Sequence, residues 1–259
     1  MKIAIASTIL ISAFVAGCTT DSVVMPPRVP PASPAAAKPA HYPADTAVLN
    51  LRGMSLTNWP PEAAGIRSLD KLYLDNNPLV NLPLEVTRHT ALRTLSLQNC
   101  QLASLPEGIG ALRNLQLLDL DGNRLAELPA AVGAMAELRV LNVAKNQLAA
   151  LPSGIGQLSK LELLQLGSNR IAALPEEIGR LASIRSLWLE NNQLSALPDG
   201  LWQLKNLESL DLSGNRLATL PSKIEGLAHL KVLKLTGNPM PLEERLRVNS
   251  LIPHCMLVY

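Results

Sequence analysis

The chain has 259 residues, of which 47% are hydrophobic and only 3% are aromatic, so its core must consist of many aliphatic side chains rather than a few large rings. The formal net charge is +2, and 17% of the residues are charged. This balance provides no clustered basic field of the kind that holds a phosphate backbone, and we therefore expect no nucleic-acid partner.

Residues 1–17 have the organisation of a secretory signal peptide. Lys2 precedes the apolar stretch IAIASTILISAFVAG, which is too short for a comfortable membrane span of roughly 20 residues. The sequence VAGC, residues 15–18, resembles the lipobox of bacterial lipoproteins. The resemblance implies cleavage before Cys18, which would then carry lipid, palmitate included, on its sulfur and nitrogen. The alternative is an ordinary signal peptide followed by a chance cysteine.

A Pro- and Ala-rich segment follows the cysteine. The stretch VVMPPRVPPASPAAAKPAHYP has no periodic apolar face, which is typical of a semi-rigid tether without a fold of its own. At about 3.1 Å per residue in polyproline II form, residues 18–45 could hold a domain up to roughly 80 Å from a bilayer. We therefore interpret this segment as a spacer.

The next part of the chain is repetitive. The stretch LQLLDLDGNRLAELP, residues 115–129, fits neither the spacing of an amphipathic helix nor a long alternation of strand type. Near-copies of this phrase begin every 23 residues, at Leu69, Leu92, Leu115, Leu138, Leu161, Ile184, Leu207 and Leu230. A fixed period of this length is the signature of a solenoid.

The unit L-x-x-L-x-L-x-x-N-x-L-x-x-L-P-x-x-I-G-x-L-x-x resembles the leucine-rich repeat, and the resemblance covers residues 46–240. It is most similar to the 23-residue class of Ras-interacting scaffolds and their bacterial counterparts. The resemblance implies an α/β solenoid: a leucine-rich-repeat horseshoe of about nine coils with a concave parallel β-sheet.

The ninth repeat position forms a column of asparagines. An inward amide can bond the turns of adjacent coils and so satisfy buried backbone groups. The column consists of Asn77, Asn123, Asn146, Asn169, Asn192, Asn215 and Asn238. Met54 replaces asparagine in an atypical first unit, and Cys100, which replaces it later, has only a weak thiol donor.

Two further features concern the cysteines and the C-terminal end. Cys100 and Cys255 are too far apart along the repeats to form a disulfide, and we expect both to be free and buried. Residues 241–259 begin with prolines and place Leu242, Leu246, Val248, Leu251 and Ile252 at helical spacing. This pattern predicts a C-terminal cap that covers the last coil rather than a second domain.

Charged residues follow a longer period of 46 residues. At the second repeat position Arg93, Arg139 and Arg185 alternate with Gln116, Glu162 and Glu208. At the tenth position Gln101, Gln147 and Gln193 alternate with Arg124, Arg170 and Arg216. Duplication of a two-repeat unit is the simplest explanation of this alternation. The alternation places like charges about 10 Å apart.

No set of residues points to catalysis. The four histidines His41, His89, His229 and His254 are spread over the tether, the convex side and the cap, and they cannot converge easily. Asp119 and Asp121 are expected to form a solvated pair on one strand rather than an acid and a base. The sequence contains no metal-ligand spacing, phosphate loop or nucleophile elbow. We therefore expect no enzyme activity, no metal and no cofactor.

What remains is the concave surface, which the family builds from outward residues of the strands. Trp188 alternates with inward Leu187 and Leu189 and should project from the sheet beside Gln165 and Asp211. Candidate residues for binding a protein or peptide are Tyr73, Leu117, Asp119, Val140, Asn142, Leu163, Gln165, Trp188, Glu190 and Asp211. The alternative is an ordinary sheet face without a ligand.

The sequence therefore predicts a non-enzymatic, monomeric, protein-binding module held at the bacterial cell envelope by lipid on Cys18. Thr19 stands where aspartate marks inner-membrane retention, which implies the outer membrane in a cell that has one. A structural envelope protein without a discrete ligand, or a host-directed adhesin or effector, remains an alternative.

Overall fold

The computed structural model of the protein describes residues 41–259. The predicted signal peptide, Cys18 and all but the last residues of the tether lie outside this range. Among residues 41–259, no helix has the length and the apolar character that a membrane crossing requires.

A single open sheet of ten parallel strands follows the chain order from β1 to β10. Along the repeats, each residue pairs with the residue 23 positions further on, as Leu95 does with Leu118. The strands are β1 Val48–Asn50, β2 Lys71–Tyr73, β3 Thr94–Ser96, β4 Leu117–Asp119, β5 Val140–Asn142, β6 Leu163–Gln165, β7 Ser186–Trp188, β8 Ser209–Asp211, β9 Val232–Lys234 and β10 Met256–Val258.

Each strand is short because the backbone turns soon after it. The eighth repeat position adopts a left-handed conformation in every coil from the first to the ninth, a region that glycine and asparagine tolerate best. The residues there are Gly53, Asn76, Asn99, Gly122, Lys145, Ser168, Asn191, Gly214 and Gly237. This turn directs the following asparagine towards the interior.

The convex side consists of short 3-10 turns, each preceded by a proline in extended conformation. The turns are Pro61–Ala63, Leu84–Arg88, Glu107–Ala111, Ala130–Ala134, Ser153–Gln157, Glu176–Arg180, Asp199–Gln203 and Ser222–Gly226. Glycine lets adjacent turns approach closely: a Cβ atom on Gly156 would lie 2.5 Å from the carbonyl oxygen of Glu177.

One continuous core lies between the sheet and the convex turns. Leucine side chains dominate it, and those of β4 and its flanks, Leu115, Leu118 and Leu120, are fully buried. The predicted architecture, a repeat solenoid with a parallel sheet on its concave face, is confirmed.

The C-terminal tail forms helix α1, Leu242–Leu251, and strand β10, which pairs with β9. Val248 and Ile252 are fully buried against the last coil. Leu242 and Leu246, which the helical spacing places on the covering side, are instead 69% and 62% exposed. The prediction for these two leucines is wrong. The helix packs against the turn Ser222–Gly226, and strand β10, which is absent from the sequence prediction, extends the sheet beside β9.

Candidate functional site: the concave face

The asparagine column joins adjacent coils by hydrogen bonds. The side-chain amide of Asn146 donates to the carbonyl oxygens of Leu120, at 2.9 Å, and Val143, at 3.2 Å. Its side-chain oxygen accepts from the amide of Leu125 at 2.9 Å. The same three kinds of bond recur at Asn77, Asn123, Asn169, Asn192, Asn215 and Asn238. The column therefore holds the turns that carry the concave strands.

Cys100 fills this column only in part. Its thiol donates to the carbonyl oxygen of Leu74 at 3.2 Å, but it has no oxygen to offer the preceding coil. The amide of Leu79 bonds instead to the carbonyl oxygen of Asn77 at 2.9 Å, and Val80 adopts a left-handed conformation. Burial raises the pKa of the Cys100 thiol to about 12, so the residue is structural rather than reactive.

The concave residues predicted to contact a partner divide into two groups. Asp119, Val140, Asn142, Gln165 and Asp211 are buried. Tyr73, Leu117, Leu163, Trp188 and Glu190 are partly exposed. Strands in a sheet lie about 4.8 Å apart, so side chains at the same height on neighbouring strands cover one another. A partner on this face would reach the second group first.

A chain of polar contacts crosses the first coils of the concave face. Arg52 forms a buried ion pair with Asp75 and lies over the ring of Tyr73, 4.1 Å from its centroid. Ser96 Oγ donates to Asp75 Oδ1 at 2.5 Å, and the amide of Gln98 donates to the same oxygen at 2.8 Å. Sequence reasoning missed this cluster, although polar residues at the seventh position of successive coils could have indicated it.

Asp119 extends the polar chain and corrects one prediction. Asp119 and Asp121 are not a solvated pair: they are only 1% and 6% exposed. Asp119 accepts from Gln98 Nε2 at 2.6 Å and from Asn142 Nδ2 at 3.0 Å. Burial raises the pKa of Asp119 to about 7, because no cation of residues 41–259 pairs with it, whereas Asp121 pairs with Lys145 Nζ at 3.1 Å.

The far half of the face is centred on Trp188. Gln165 and Asp211 are its paired neighbours on β6 and β8, as the sequence predicts. Glu190 follows two residues later and lies over Gly167, where any side chain would collide with its carboxylate. Burial raises the pKa of Glu190, and among residues 41–259 its Oε2 atom has no hydrogen-bond partner. An aromatic ring and a poorly satisfied carboxyl group thus stand side by side.

The described residues 41–259 contain no group of three or more His, Cys, Asp or Glu side chains that could hold a metal ion. A cavity of about 400 Å³ lies away from the concave sheet, where Trp59, Leu82 and Leu84 line it. The ring of His89 lies 5.5 Å from that of Trp59, and burial lowers the pKa of this histidine. The most extended binding surface is therefore the concave face.

Comparison with known proteins defines the class. Residues 84–173 match the model of a leucine-rich repeat region, and residues 183–240 match a second leucine-rich-repeat model. With the ten-stranded parallel sheet, these matches show that the solenoid is a leucine-rich-repeat domain. No curated protein matches the chain.

Several solved structures are similar. A leucine-rich-repeat protein of Leptospira interrogans is 29% identical, with a TM-score of 0.36. The match covers 79% of this chain and 76% of the Leptospira chain. The ectodomain of the plant membrane receptor kinase GASSHO1/SCHENGEN3 from Arabidopsis thaliana, in complex with CASPARIAN STRIP INTEGRITY FACTOR 2, is 27% identical with a TM-score of 0.60. That match covers 70% of this chain but only 26% of the ectodomain. The plant peptide hormone receptor RGFR1 in complex with RGF2 is 24% identical, with a TM-score of 0.58. The match covers 70% of this chain and 34% of the receptor chain.

Proposed function

We propose that the protein is a non-enzymatic, membrane-anchored module of the bacterial cell envelope that binds a protein or peptide on its concave face. The partly exposed Trp188, set in a sheet between Gln165 and Asp211, is the observation that carries this proposal. Large aromatic rings at the centre of a surface act as anchors, because they bury much area at little cost in conformational entropy.

Two other features support the proposal. Solenoids present long concave surfaces that suit extended partners, and Leu163 on β6 and Leu117 on β4 add partly exposed apolar area to the same face as Trp188. The Arabidopsis ectodomain, which shares the fold, was solved in complex with CASPARIAN STRIP INTEGRITY FACTOR 2. The similarity covers about a quarter of that ectodomain, so the nature of the ligand does not carry over.

Binding can be tested with a displayed library of random peptides selected against the purified protein. We expect Trp188→Ala to weaken the selected peptides about 30-fold or more, the loss typical of a binding hot spot. Trp59→Ala is the matched control, since Trp59 is also partly exposed but lines the cavity away from the sheet. A selection without binders, or binders indifferent to Trp188→Ala, would favour a structural envelope role without a discrete ligand.

The anchor is a separate part of the proposal, because Cys18 lies outside the described residues. The lipobox-like VAGC sequence supports lipid attachment at Cys18, and Thr19 supports an outer-membrane position. Labelled fatty acid should enter the mature protein, and Cys18→Ser should abolish labelling and release the protein from membranes. Equal retention of the two proteins in the membrane fraction would refute the anchor while leaving the binding proposal untouched.

A further inference from the structure

The two flanks of the solenoid differ in how their charges are compensated. We define the amino flank as the residues just before each strand, at repeat positions 22, 23, 1 and 2. The carboxyl flank consists of positions 8 to 13, after each strand. On the amino flank, Arg139 pairs with Glu162 at 2.5 Å, and Glu208 pairs with both Arg185 and Lys231 at 2.6 Å. The arginines of the second position, Arg93, Arg139 and Arg185, are therefore paired with the adjacent coil, whereas Arg67 and Arg113 at position 22 have no carboxylate of residues 41–259 within 4.0 Å.

The arginines of the carboxyl flank have no such partners. Arg124, Arg170 and Arg216 are exposed, and no carboxylate of residues 41–259 lies within 4.0 Å of them. Between Gly53 and Thr219, repeat positions 8 to 13 contain a single acidic residue, Glu127. Lys145 adds a fourth cation, although it pairs with Asp121. The flank is a positive stripe on a nearly neutral protein.

The surface around these arginines is made of small and apolar residues. The exposed residues at positions 12 and 13 are mostly alanines: Ala103, Ala126, Ala149, Ala150, Ala172, Ala173, Ala196 and Ala218. Val80 lies near one end of this row and is 48% exposed. Leu242, 23 residues after Thr219 and 69% exposed, lies at the other end. The small side chains around the three arginines leave a shallow surface, whereas Asn58 and Asn81 at the first end of the flank line the cavity beside Trp59. Val80 and Leu242 border the shallow surface.

The spacing of the arginines also restricts the partner. They occur in alternate coils, so their attachment points lie about 10 Å apart along the flank. A row of separated cations among small side chains matches mobile anionic headgroups better than a single compact anion. A peptide would find its apolar anchors on the concave face instead, around Trp188.

We propose that the carboxyl flank rests on a membrane surface that contains anionic phospholipids, with Arg124, Arg170 and Arg216 as its contacts. Basic residues near such a surface are attracted within about a Debye length, and aliphatic side chains such as Val80 and Leu242 can enter the interface. The inference goes beyond the proposed function, because it requires neither lipid on Cys18 nor a partner on the concave face. A protein that lies on the membrane through this flank would leave its concave face accessible to a partner.

The test uses the full chain with Cys18→Ser in every sample, so that acylation cannot contribute. Co-sedimentation is measured with vesicles of phosphatidylcholine alone and with vesicles that also contain phosphatidylglycerol. The apolar N-terminal segment is present in all samples, so the informative quantity is the gain in affinity that the anionic lipid produces. We expect Arg124→Gln, Arg170→Gln and Arg216→Gln together to reduce this gain by up to about 100-fold at low salt, and less at high salt.

The matched control replaces Arg93, Arg139 and Arg185 by glutamine on the amino flank. It removes the same charge from the same kind of alternating column. We expect this variant to retain the gain on anionic vesicles. Equal loss in both triple variants would show an effect of net charge alone, and no loss in the carboxyl-flank variant would mean only that these arginines do not contact the lipid. Either result overturns the inference.

Discussion

At the scale of single residues, Asp119 shows how the solenoid treats a buried carboxyl group that no cation of residues 41–259 pairs with. Its carboxyl group is buried and accepts bonds from neutral amides, whereas Asp121 two residues away has Lys145 beside it. A neutral donor satisfies a hydrogen bond but does not offset the loss of hydration of a charge. The folded protein therefore holds a proton on Asp119 up to a higher pH than the unfolded chain does.

This difference predicts how stability changes with pH. The pKa of Asp119 rises from an ordinary 3.8 to about 7 on folding, so its contribution to the free energy of unfolding falls as pH rises between these values. Asp119→Asn removes the titration, and the advantage of the variant should grow from pH 4 to pH 7 by an amount on the order of 1.4 kcal/mol per pKa unit.

Urea unfolding of the two proteins across this pH range measures the effect. The amide of Gln98 must turn to present its oxygen to the new asparagine, which adds a constant offset rather than a slope. Wild-type and Asp119→Asn profiles that run parallel would contradict the assignment.

Cys100 gives a second residue-scale prediction. Cys100→Asn supplies a side-chain oxygen to which the amide of Leu79, now bonded to the carbonyl oxygen of Asn77, can bond as in the other coils. This exchange lets Val80 leave its left-handed conformation, and the free energy of unfolding should rise by about 1 kcal/mol. Cys255→Asn is the control, because Cys255 is also buried and free but has no place in the asparagine column. A polar amide there should destabilise. If both substitutions destabilise equally, the column does not act as described.

At the scale of the repeat element, the convex turns limit how closely the coils stack. Gly156→Ala would place a methyl group 2.5 Å from the carbonyl oxygen of Glu177 and 2.9 Å from its Cβ atom. Backbone on the next coil must move, so we expect a loss of about 2 kcal/mol or more.

Gly108→Ala is the matched control for this prediction. Its new methyl group would meet only Thr87 side-chain atoms, at 3.5 Å and beyond, so the change should be neutral or slightly stabilising. Thermal unfolding of the two variants distinguishes the outcomes. Similar melting temperatures would mean that the turns are not packed as tightly as the geometry indicates.

The sequence predicts the repeat element well because its constraints are local. The leucine spacing determines which side chains face the core, and the ninth-position asparagines lie where the period places them. Burial of outward residues is not local: Asp119 is covered by Gln98 and Asn142 from neighbouring coils, 21 and 23 residues away in sequence. Exposure on the concave face therefore could not be deduced from one repeat alone.

At the scale of the whole molecule, the 46-residue alternation has different results on the two flanks. On the amino flank it brings opposite charges together on adjacent coils, as in the Arg139 and Glu162 pair. On the carboxyl flank it interleaves arginine with glutamine, so that Arg124 and Arg170 stay apart, with no carboxylate of residues 41–259 within 4.0 Å of either. Duplication of a two-repeat unit thus pairs the charges of the second position and leaves the arginines of the tenth position without a carboxylate of residues 41–259 within 4.0 Å.

The C-terminal tail is the second whole-molecule feature. Removal of residues 241–259 would uncover the last coil, strip β9 of its partner β10 and remove the buried Val248 and Ile252. Each buried aliphatic side chain contributes on the order of 1.5 to 3 kcal/mol, so the melting temperature should fall strongly.

A double variant tests whether the exposed leucines of helix α1 contribute to this stability. Leu242→Gln with Leu246→Gln changes only exposed side chains and should alter the free energy of unfolding by less than about 0.5 kcal/mol. An unchanged melting temperature after truncation would show that the tail does not protect the solenoid.

The central claim, that the concave face binds a protein or peptide, is tested most directly by hydroxyl-radical footprinting of the protein with and without a selected ligand. We predict that bound ligand protects Tyr73, Leu117, Leu163 and Trp188 from oxidation and leaves Trp59 and Leu84 unchanged. Protection of Trp59 and Leu84 without protection of Trp188 would place the ligand in the cavity away from the sheet and contradict the claim.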